Sequence, residues 1–398
     1  MQEVMSVGIA QARQAELEKL MQYRPNAYIV GELAAVYFTL NQPERAVPLA
    51  RGAWQVCREQ SIGTNLAIIL KDLGLHEESF HVIEQAYWLN PDDMYTRLAY
   101  AEALLRAGFW KQAWGIYDNA RPTQQGAAAD VGVPNSVIEW DGGPLPEGHR
   151  LLVINEGGTG DRISYARWLP ELTKRGINWF FYPYAHLHSI FSRVLPNERL
   201  IADGQEIEPT HWTTTFALPA RLNVGPTEIP EPLPLTATEE VIAKYKINRI
   251  DSRPLLGLCW RAGELHQGGR TVRSLSEGEA IRIACQTASK VDWVSLQYGH
   301  RMPAPVNTIP FETWEDTLGL LHNLDAVVTI DTGLFWLASA MKKPTALILG
   351  GNGDWKFLSK GKCYWSDSVT MYRNQGRGFE NAINALVMDI RNGKWPHV

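Results

Sequence analysis

Cysteine is scarce in this 398-residue sequence: Cys57, Cys259, Cys285 and Cys363 stand far apart and form no Cys-x-x-Cys pair. That argues against a disulfide framework or a zinc ribbon, and it fits a reducing, cytoplasmic compartment. A dominant charge is missing as well, since 38 Lys and Arg against 43 Asp and Glu give a formal net charge of −5. A broad nucleic-acid or anionic-membrane surface is therefore not indicated, while local basic clusters stay open. No apolar run approaches the roughly 18 residues that a spanning helix needs, and the first residues have neither the basic stretch nor the apolar core of a signal peptide. What is present, 45% hydrophobic and 20% charged residues, suffices for two or three globular domains of a soluble protein.

The first hundred residues repeat with a period of about 34, the length of one helix–turn–helix unit in a solenoid. Ala34, Ala67 and Ala101 share one position, and Ala53, Ala86 and Ala120 another, while Tyr37, Leu70 and Leu104 fill a larger one. Small residues at such places let antiparallel helices approach closely. Gly74 and Gly108 fall in the inter-helix turns, Pro91 and Pro122 close two units, and Ala10 to Met21 forms a capping segment. The spacing resembles the tetratricopeptide repeat (TPR). Such an array is either a groove for an extended peptide or a packing platform for the adjoining domain. Trp54, Trp88, Trp110 and Trp114 are expected to be mostly core residues at this helical spacing.

Composition shifts to Gly, Pro, Ala and Gln between Arg121 and Pro146, which marks a domain boundary, and the apolar piece Ile138 to Leu145 is expected to dock on the next domain. Leu151 to Ile154 then reads as a buried strand, followed by a loop containing Gly157, Gly158 and Gly160 and a helix that begins at Asp161. That loop is neither Gly-x-Gly-x-x-Gly nor a Walker loop, so nicotinamide and ATP sites are disfavoured. Asp161, at a strand's carboxyl end, is placed either for chemistry or simply to cap its helix. Trp179 to Tyr182 and Arg199 to Ala202 look like short strands, and the prolines from Pro226 to Pro234 look like an inter-domain crossing. His186 and His188 have no third ligand in view and are read as surface or supporting residues.

Further on, Leu255 to Cys259 reads as a strand ending in a polar loop in which Arg261, His266, Arg270 and Arg273 are concentrated. Arginine forks bind phosphate oxygens bidentately, so this loop can hold a pyrophosphate. Val291 to Gln297 supplies another strand with Gln297 at its end as a base or sugar contact. Ala326 to Ile330 is a continuous apolar, β-branched strand, and the turn Asp331-Thr332-Gly333 opens a helix whose first N–H groups and dipole favour an anion. Pro344 ends that helix, Thr345 to Leu349 forms the next strand, and Gly378 to Gly393 reads as an amphipathic helix.

Taken in order, the segments Trp140-Asp-Gly-Gly-Pro-Leu, Gly160-Asp-Arg-Ile-Ser-Tyr-Ala-Arg-Trp-Leu-Pro, Gly257-Leu-Cys-Trp, Arg273-Ser-Leu, Val294-Ser-Leu-Gln, Leu324-Asp-Ala-Val-Val-Thr-Ile-Asp-Thr and Asp354-Trp-Lys-Phe-Leu resemble bacterial tetratricopeptide-repeat glycosyltransferases. Their catalytic half is similar to the heptosyltransferases of glycosyltransferase family nine. The resemblance implies an α + α/β chain: a TPR-like helical solenoid over 1–125, then a GT-B fold of two Rossmann-like domains, with a linker and acceptor-side domain over 126–240 and a nucleotide-sugar donor domain over 241–398. In such folds the C-terminal helix often crosses back onto the first domain.

Carried over by position, the resemblance makes Asp161 the general base. Gly158, Gly160, Arg261, His266, Arg273, Ser274, Gln297, Asp331, Thr332, Gly333, Asp354 and Trp355 become the donor-side set. It implies inverting transfer from a nucleotide-sugar co-substrate, with no other cofactor. No Asp-x-Asp triplet occurs, which fits a metal-independent enzyme in which arginine and a helix N-terminus stabilise the leaving group. Two positions depart from the family: Trp336 stands where a His is usual, and Arg270 where an Asp precedes the Arg-Ser pair. ADP-heptose is therefore not implied as the donor. Three functions remain open: transfer to a protein presented by the arm, transfer to a glycan, lipid or modified nucleic-acid base with a structural arm, or an inactive binding scaffold.

Overall fold

The computed structural model describes residues 7–119, 123–249, 251–263, 273–351, 353–357, 363–374, 376 and 378–396. Of the sequence expectations, Ala120, Pro122, His266 and Arg270 lie outside these residues. The chain begins with helices only: α1 (Val7–Tyr23), α2 (Ala27–Thr39), α3 (Pro43–Val56), α4 (Gln60–Asp72), α5 (His76–Leu89), α6 (Met94–Ala107), α7 (Trp110–Asn119) and α8 (Thr123–Asp130). Consecutive helices from α1 to α7 pack on one another. The recurring positions are the buried ones: Ala34, Ala67, Ala101, Ala53 and Ala86 are at most 2% exposed, and Tyr37, Leu70 and Leu104 at most 3%. Trp54, Trp110 and Trp114 are core residues, whereas Trp88 is 68% exposed.

The first α/β unit comprises β1 (Ile138–Glu139), β2 (Leu151–Ile154), α9 (Thr159–Tyr165), α10 (Leu169–Lys174), β3 (Trp179–Tyr182), α11 (Ala185–Phe191), β4 (His211–Thr214) and α12 (Leu218–Arg221). Its sheet runs β1-β4-β2-β3, all parallel. The apolar segment after residue 137 thus does more than dock, since it adds the edge strand β1. Arg199 to Ala202 does not form a strand: Leu200 makes one isolated bridge to Phe181, after a 3-10 turn over Asn197–Arg199.

The second unit comprises α13 (Glu239–Lys244), β5 (Leu255–Cys259), α14 (Glu277–Thr287), β6 (Asp292–Ser295), β7 (Val306–Thr308), α15 (Trp314–Asn323), β8 (Ala326–Thr329), α16 (Gly333–Ala340), β9 (Thr345–Leu349), β10 (Val369–Arg373) and α17 (Glu380–Arg391). All six strands are parallel in the order β10-β9-β8-β5-β6-β7. Strands β5, β8 and β9 are buried along their whole length, as continuous apolar runs between helix layers should be. Helix α17 packs on α14, β9 and β10 of its own unit. The expectation that the C-terminal helix crosses to the first unit is therefore corrected: its apolar stripe of Ile383, Leu386 and Ile390 belongs to the core of the second sheet.

Candidate active site

In the second sheet the chain proceeds outward from β5 in one direction and from β8 in the other, so the strand order reverses between them. Open α/β sheets bind ligands outside the carboxyl ends of their strands at such a reversal. The residues that leave β5 and β8 there are Trp260-Arg261 and Ile330-Asp331-Thr332. In the first sheet the reversal lies between β2 and β4, and the chain leaves β2 through the glycine loop that ends at Asp161.

The two reversals meet. Helices α9 and α16 start at them and pack together, and neither start carries a side-chain cap: the residues before them are Gly158 and Thr332. Gly160 makes the approach possible, because a Cβ there would lie 2.7 Å from Trp336 Cδ1 and 3.1 Å from Gly333 Cα. Gly157 has φ +83°, and a Cβ on it would strike Phe216 at 2.5 Å. Between these helix starts sits a group of charges from both units. Lys356 Nζ lies 3.1 Å from Asp161 Oδ1 and 3.5 Å from Asp354 Oδ2, with its side chain only 5% exposed. Burial alone would push this ammonium down, but Asp354 and Asp161 outweigh it and hold the group well above its ordinary value. Asp331 shares the cluster: burial and then Asp354 push its carboxyl up to about 6, against the pull of Lys356 and Arg273. Arg273 Nη1 donates to Asp331 Oδ2 at 3.4 Å.

Except for His266 and Arg270, which lie outside the described residues, the sequence candidates can be placed. Asp161 is at the meeting of the units, one third exposed, and Asp354 accepts from the Lys356 backbone N–H at 2.9 Å. Ser274 Oγ accepts from Ala262 N at 3.1 Å, bracing the loop after β5. Gln297 Oε1 accepts from the N–H groups of Arg261 and Trp260 at 2.8 and 3.2 Å, and its Nε2 donates to Arg261 O at 3.1 Å, so this side chain fastens the exit of β5. Thr332 Oγ1 lies 3.3 Å from Thr329 Oγ1. The Trp355 ring faces the helical arm, 5% exposed, with Trp110 and Trp114 at 5.4 and 6.0 Å.

Three residues went unread in the sequence. Lys356 is the first of three lysines between 356 and 362, with no local sign that it is the one that meets Asp161. Trp365 is a hub of rings, with Tyr165 at 5.1 Å, Trp355 at 5.8 Å and Trp336 at 5.9 Å. Tyr184, just past β3, has φ 63° and ψ 149°, a conformation costly for a side-chain-bearing residue, and holds its ring 3.8 Å from the Arg162 guanidinium. His186 is exposed at the surface, where desolvation and then Arg162 lower its imidazole. Among the described residues no three His, Cys, Asp or Glu are placed to hold a metal ion together, and no helix is long and apolar enough to cross a membrane.

No protein-family model matches this sequence, and no curated protein matches it either. Solved structures to which it is similar include the E. coli ADP-heptose LPS heptosyltransferase II, at 13% identity and TM-score 0.43, covering 62% of this chain and 99% of that one. A glycosyltransferase of family nine from Veillonella parvula gives 10% identity and TM-score 0.37 over 62% and 90% of the two chains. A Thermobaculum terrenum O-GlcNAc transferase variant gives 11% identity and TM-score 0.33 over 98% and 90%. These neighbours include the heptosyltransferase and family-nine groups that the sequence motifs resemble. At such identities and TM-scores the likeness adds no argument to the geometry described above.

Proposed function

We propose that this chain is a metal-independent, inverting glycosyltransferase of GT-B architecture that moves a sugar from a nucleotide-sugar donor to an acceptor hydroxyl. Its helical arm is read as a tetratricopeptide array that presents a protein acceptor. The observation that carries the chemistry is the meeting of Asp161, at the reversal of the first sheet, with Asp331, Thr332, Gly333 and Arg273 at the reversal of the second.

In this reading the donor diphosphate lies along the exits of β5 and β8. Arg261 and Arg273 bind its oxygens, and the uncapped N–H groups of α16 face the leaving phosphate. Asp161 accepts the proton of the acceptor hydroxyl while that oxygen attacks the anomeric carbon. The bond from that carbon to the phosphate oxygen breaks, and the nucleotide diphosphate departs with the electron pair. A single displacement inverts the anomeric centre. Lys356 orients Asp161 from the opposite unit.

Asp161→Ala tests it: donor turnover should fall about 10²–10⁴-fold while nucleotide binding and the native fold are retained. Wild-type turnover in that variant would refute the mechanism.

A second reading, with the same chemistry on a glycan, lipid or modified nucleic-acid base, has its own support in the way the arm is attached. Trp114 Nε1 donates to Val224 O at 2.7 Å in the first unit, and Arg106 Nη2 donates to Gly353 O at 2.7 Å in the second. An arm built into both units serves as a platform. Truncation would uncover Trp355, so substitutions on the arm surface separate the readings better. Trp88→Ala with Tyr28→Ala should weaken transfer to protein but not hydrolysis of the donor if the arm presents the acceptor. A third reading, an inactive scaffold, rests on the buried Trp336 and requires that no nucleotide sugar bind.

A further inference from the structure

Arg167 is 2% exposed, in the 3-10 turn Ala166–Trp168 between α9 and α10. Its Nε donates to Ser164 O at 2.9 Å, and its Nη1 to Trp365 O at 2.9 Å and Pro230 O at 3.2 Å. Every one of these partners is a neutral carbonyl. Among the described residues Nη2 has no hydrogen-bond partner and no carboxylate reaches ion-pair distance. The carbonyls do not offset burial, which pushes the guanidinium down to about 10 against the pull of Cys363 and then Glu231. A buried cation without a counter-ion is costly, and the ordinary remedy is an anion.

Beside it is room for one. Arg167 forms one wall of a cavity of about 270 Å³, whose other walls are the crossing at Pro230 and Glu231, the end of α16 at Ser339 and Lys342, and the loop Tyr364 to Ser368. Ser339 is 1% exposed and its Oγ makes no hydrogen bond among the described residues. Ser366 and Ser368 bring two further hydroxyls, 3.2 Å apart. Two carboxylates also line the space: Glu231 is 67% exposed and paired with Lys342 Nζ at 3.1 Å, and Asp367 is exposed. Arg167, Ser339 and Ser366 thus make the interior cationic and hydroxylic, while Glu231, its partner Lys342, 69% exposed, and Asp367 are on the solvent side.

We infer that this cavity binds a phosphate group. Nε and Nη1 of Arg167 are taken up by carbonyls, so no fork is left for a planar carboxylate, whereas single donors are spread over three walls, as a tetrahedral oxyanion requires. One water needs only about 15 Å³, so the space also admits the small body of a phosphate ester. The site is separate from the donor crevice. It lies at the Ser339 end of α16 rather than the Gly333 end, and Asp161, Asp331, Gly333 and Lys356 are not among its walls. Its walls come from both units and the crossing, so an occupant holds them together and stabilises the fold by mass action. The inference does not depend on the glycosyltransferase reading.

Titration of the full chain with inorganic phosphate at constant ionic strength, followed by calorimetry and Tm, should show saturable binding. Arg273→Ala, in the donor crevice, should leave that affinity within about twofold. Ser339→Ala and Lys342→Gln should each weaken it about tenfold, and Arg167→Lys, which keeps the charge but loses Nη2 and the carbonyl bonds that hold it in place, should abolish it. If Arg167→Lys fails to fold, the Ser339 and Lys342 variants carry the test. Ribose 5-phosphate in place of inorganic phosphate identifies the source: tighter binding assigns the site to a phosphate ester, and equal or weaker saturable binding to the free ion. Absence of saturable binding to the wild type overturns the proposal. So does binding lost in Arg273→Ala but unchanged in the Ser339 and Lys342 variants.

Discussion

Lys356 Nζ, from the second α/β unit, lies 3.1 Å from Asp161 Oδ1 of the first. The pair joins the units where their two strand-order reversals meet, and it is one of several ties between them. Arg193 Nη1 and Nη2 donate to the two carboxylate oxygens of Glu315 at 2.7 and 2.8 Å. Because Lys356 is 5% exposed and Asp161 about one third exposed, the pair sits between a surface contact and a fully desolvated one.

Replacing Lys356 by Met should therefore cost about 2 kcal/mol of stability, less than a fully buried pair would because Asp161 keeps some water. It should also act at a distance from its own contacts. Lys356 is one of the two cations that restrain Asp331, so its loss should raise that carboxyl further above about 6. The checks are the unfolding free energy and the pH profile of donor binding, whose acid limb should move to higher pH. An unmoved profile with a lowered Tm would leave Lys356 only a structural role.

Gly160 and Trp336 should show non-additive costs. Gly160→Ala forces a methyl to within 2.7 Å of the Trp336 ring and 3.1 Å of Gly333 Cα, and backbone cannot yield as a side chain can. We expect about 1–3 kcal/mol of destabilisation. Trp336→Ala removes a ring that is 3% exposed and stacked on Phe357 at 5.6 Å, for about 3–5 kcal/mol. The double variant should lose less than the sum, since the deleted ring is part of what the methyl strikes. Strict additivity in denaturant melts would place the two residues out of contact.

These residues also mark where the sequence was readable and where it was not. The Leu324 to Leu349 unit and the glycine loop before Asp161 were legible because buried strands and helix starts leave local signatures: β-branched runs, a turn residue, a terminating Pro344. Strands β4 and β7 left none, for each is short and carries polar residues such as Thr213 and Asn307. Lys356 and Asp161 are 195 positions apart, and only the packing of one unit on the other brings them together. Trp355 stood beside Asp354 in a motif read as donor-binding. Which of the two neighbours faces the charge cluster and which faces the arm was set by the turn Trp355–Phe357, for which the sequence carried no periodic signal.

Asp331 should make stability fall as pH rises through its window. Its folded carboxyl titrates near 6 against 3.8 unfolded, so between those values the folded state binds more proton and acid favours it. Above pH 6 the charged form carries the full penalty. Asp331→Asn should then stabilise the protein at pH 7.5 by on the order of 1–2 kcal/mol relative to its effect at pH 4.5. Chemical denaturation at the two pH values measures it, and an equal effect at both would contradict the buried, raised carboxyl.

His76 pulls in the opposite direction across nearly the same range. Its imidazole is pushed down to about 4 by burial and by Arg106 and Arg373, with Lys71 adding to them and a hydrogen bond with the Gly351 backbone opposing. The folded state binds its proton later than the unfolded chain, which does so near 6.5, so stability should be lost as pH falls from 6.5 towards 4. The strain would fall where α5 meets the second unit, and the arm should loosen there first. Because Asp331 gains stability in acid while His76 loses it, the raw pH slope of the wild type is uninformative and differences between variants are needed. His76→Gln should lose less Tm than the wild type between pH 6.5 and 4.5, and Asp331→Asn more. Hydrogen exchange of α5 and α6 at pH 4.5 should quicken in the wild type but not in His76→Gln, and equal exchange in both would remove His76 as the acid-sensitive contact.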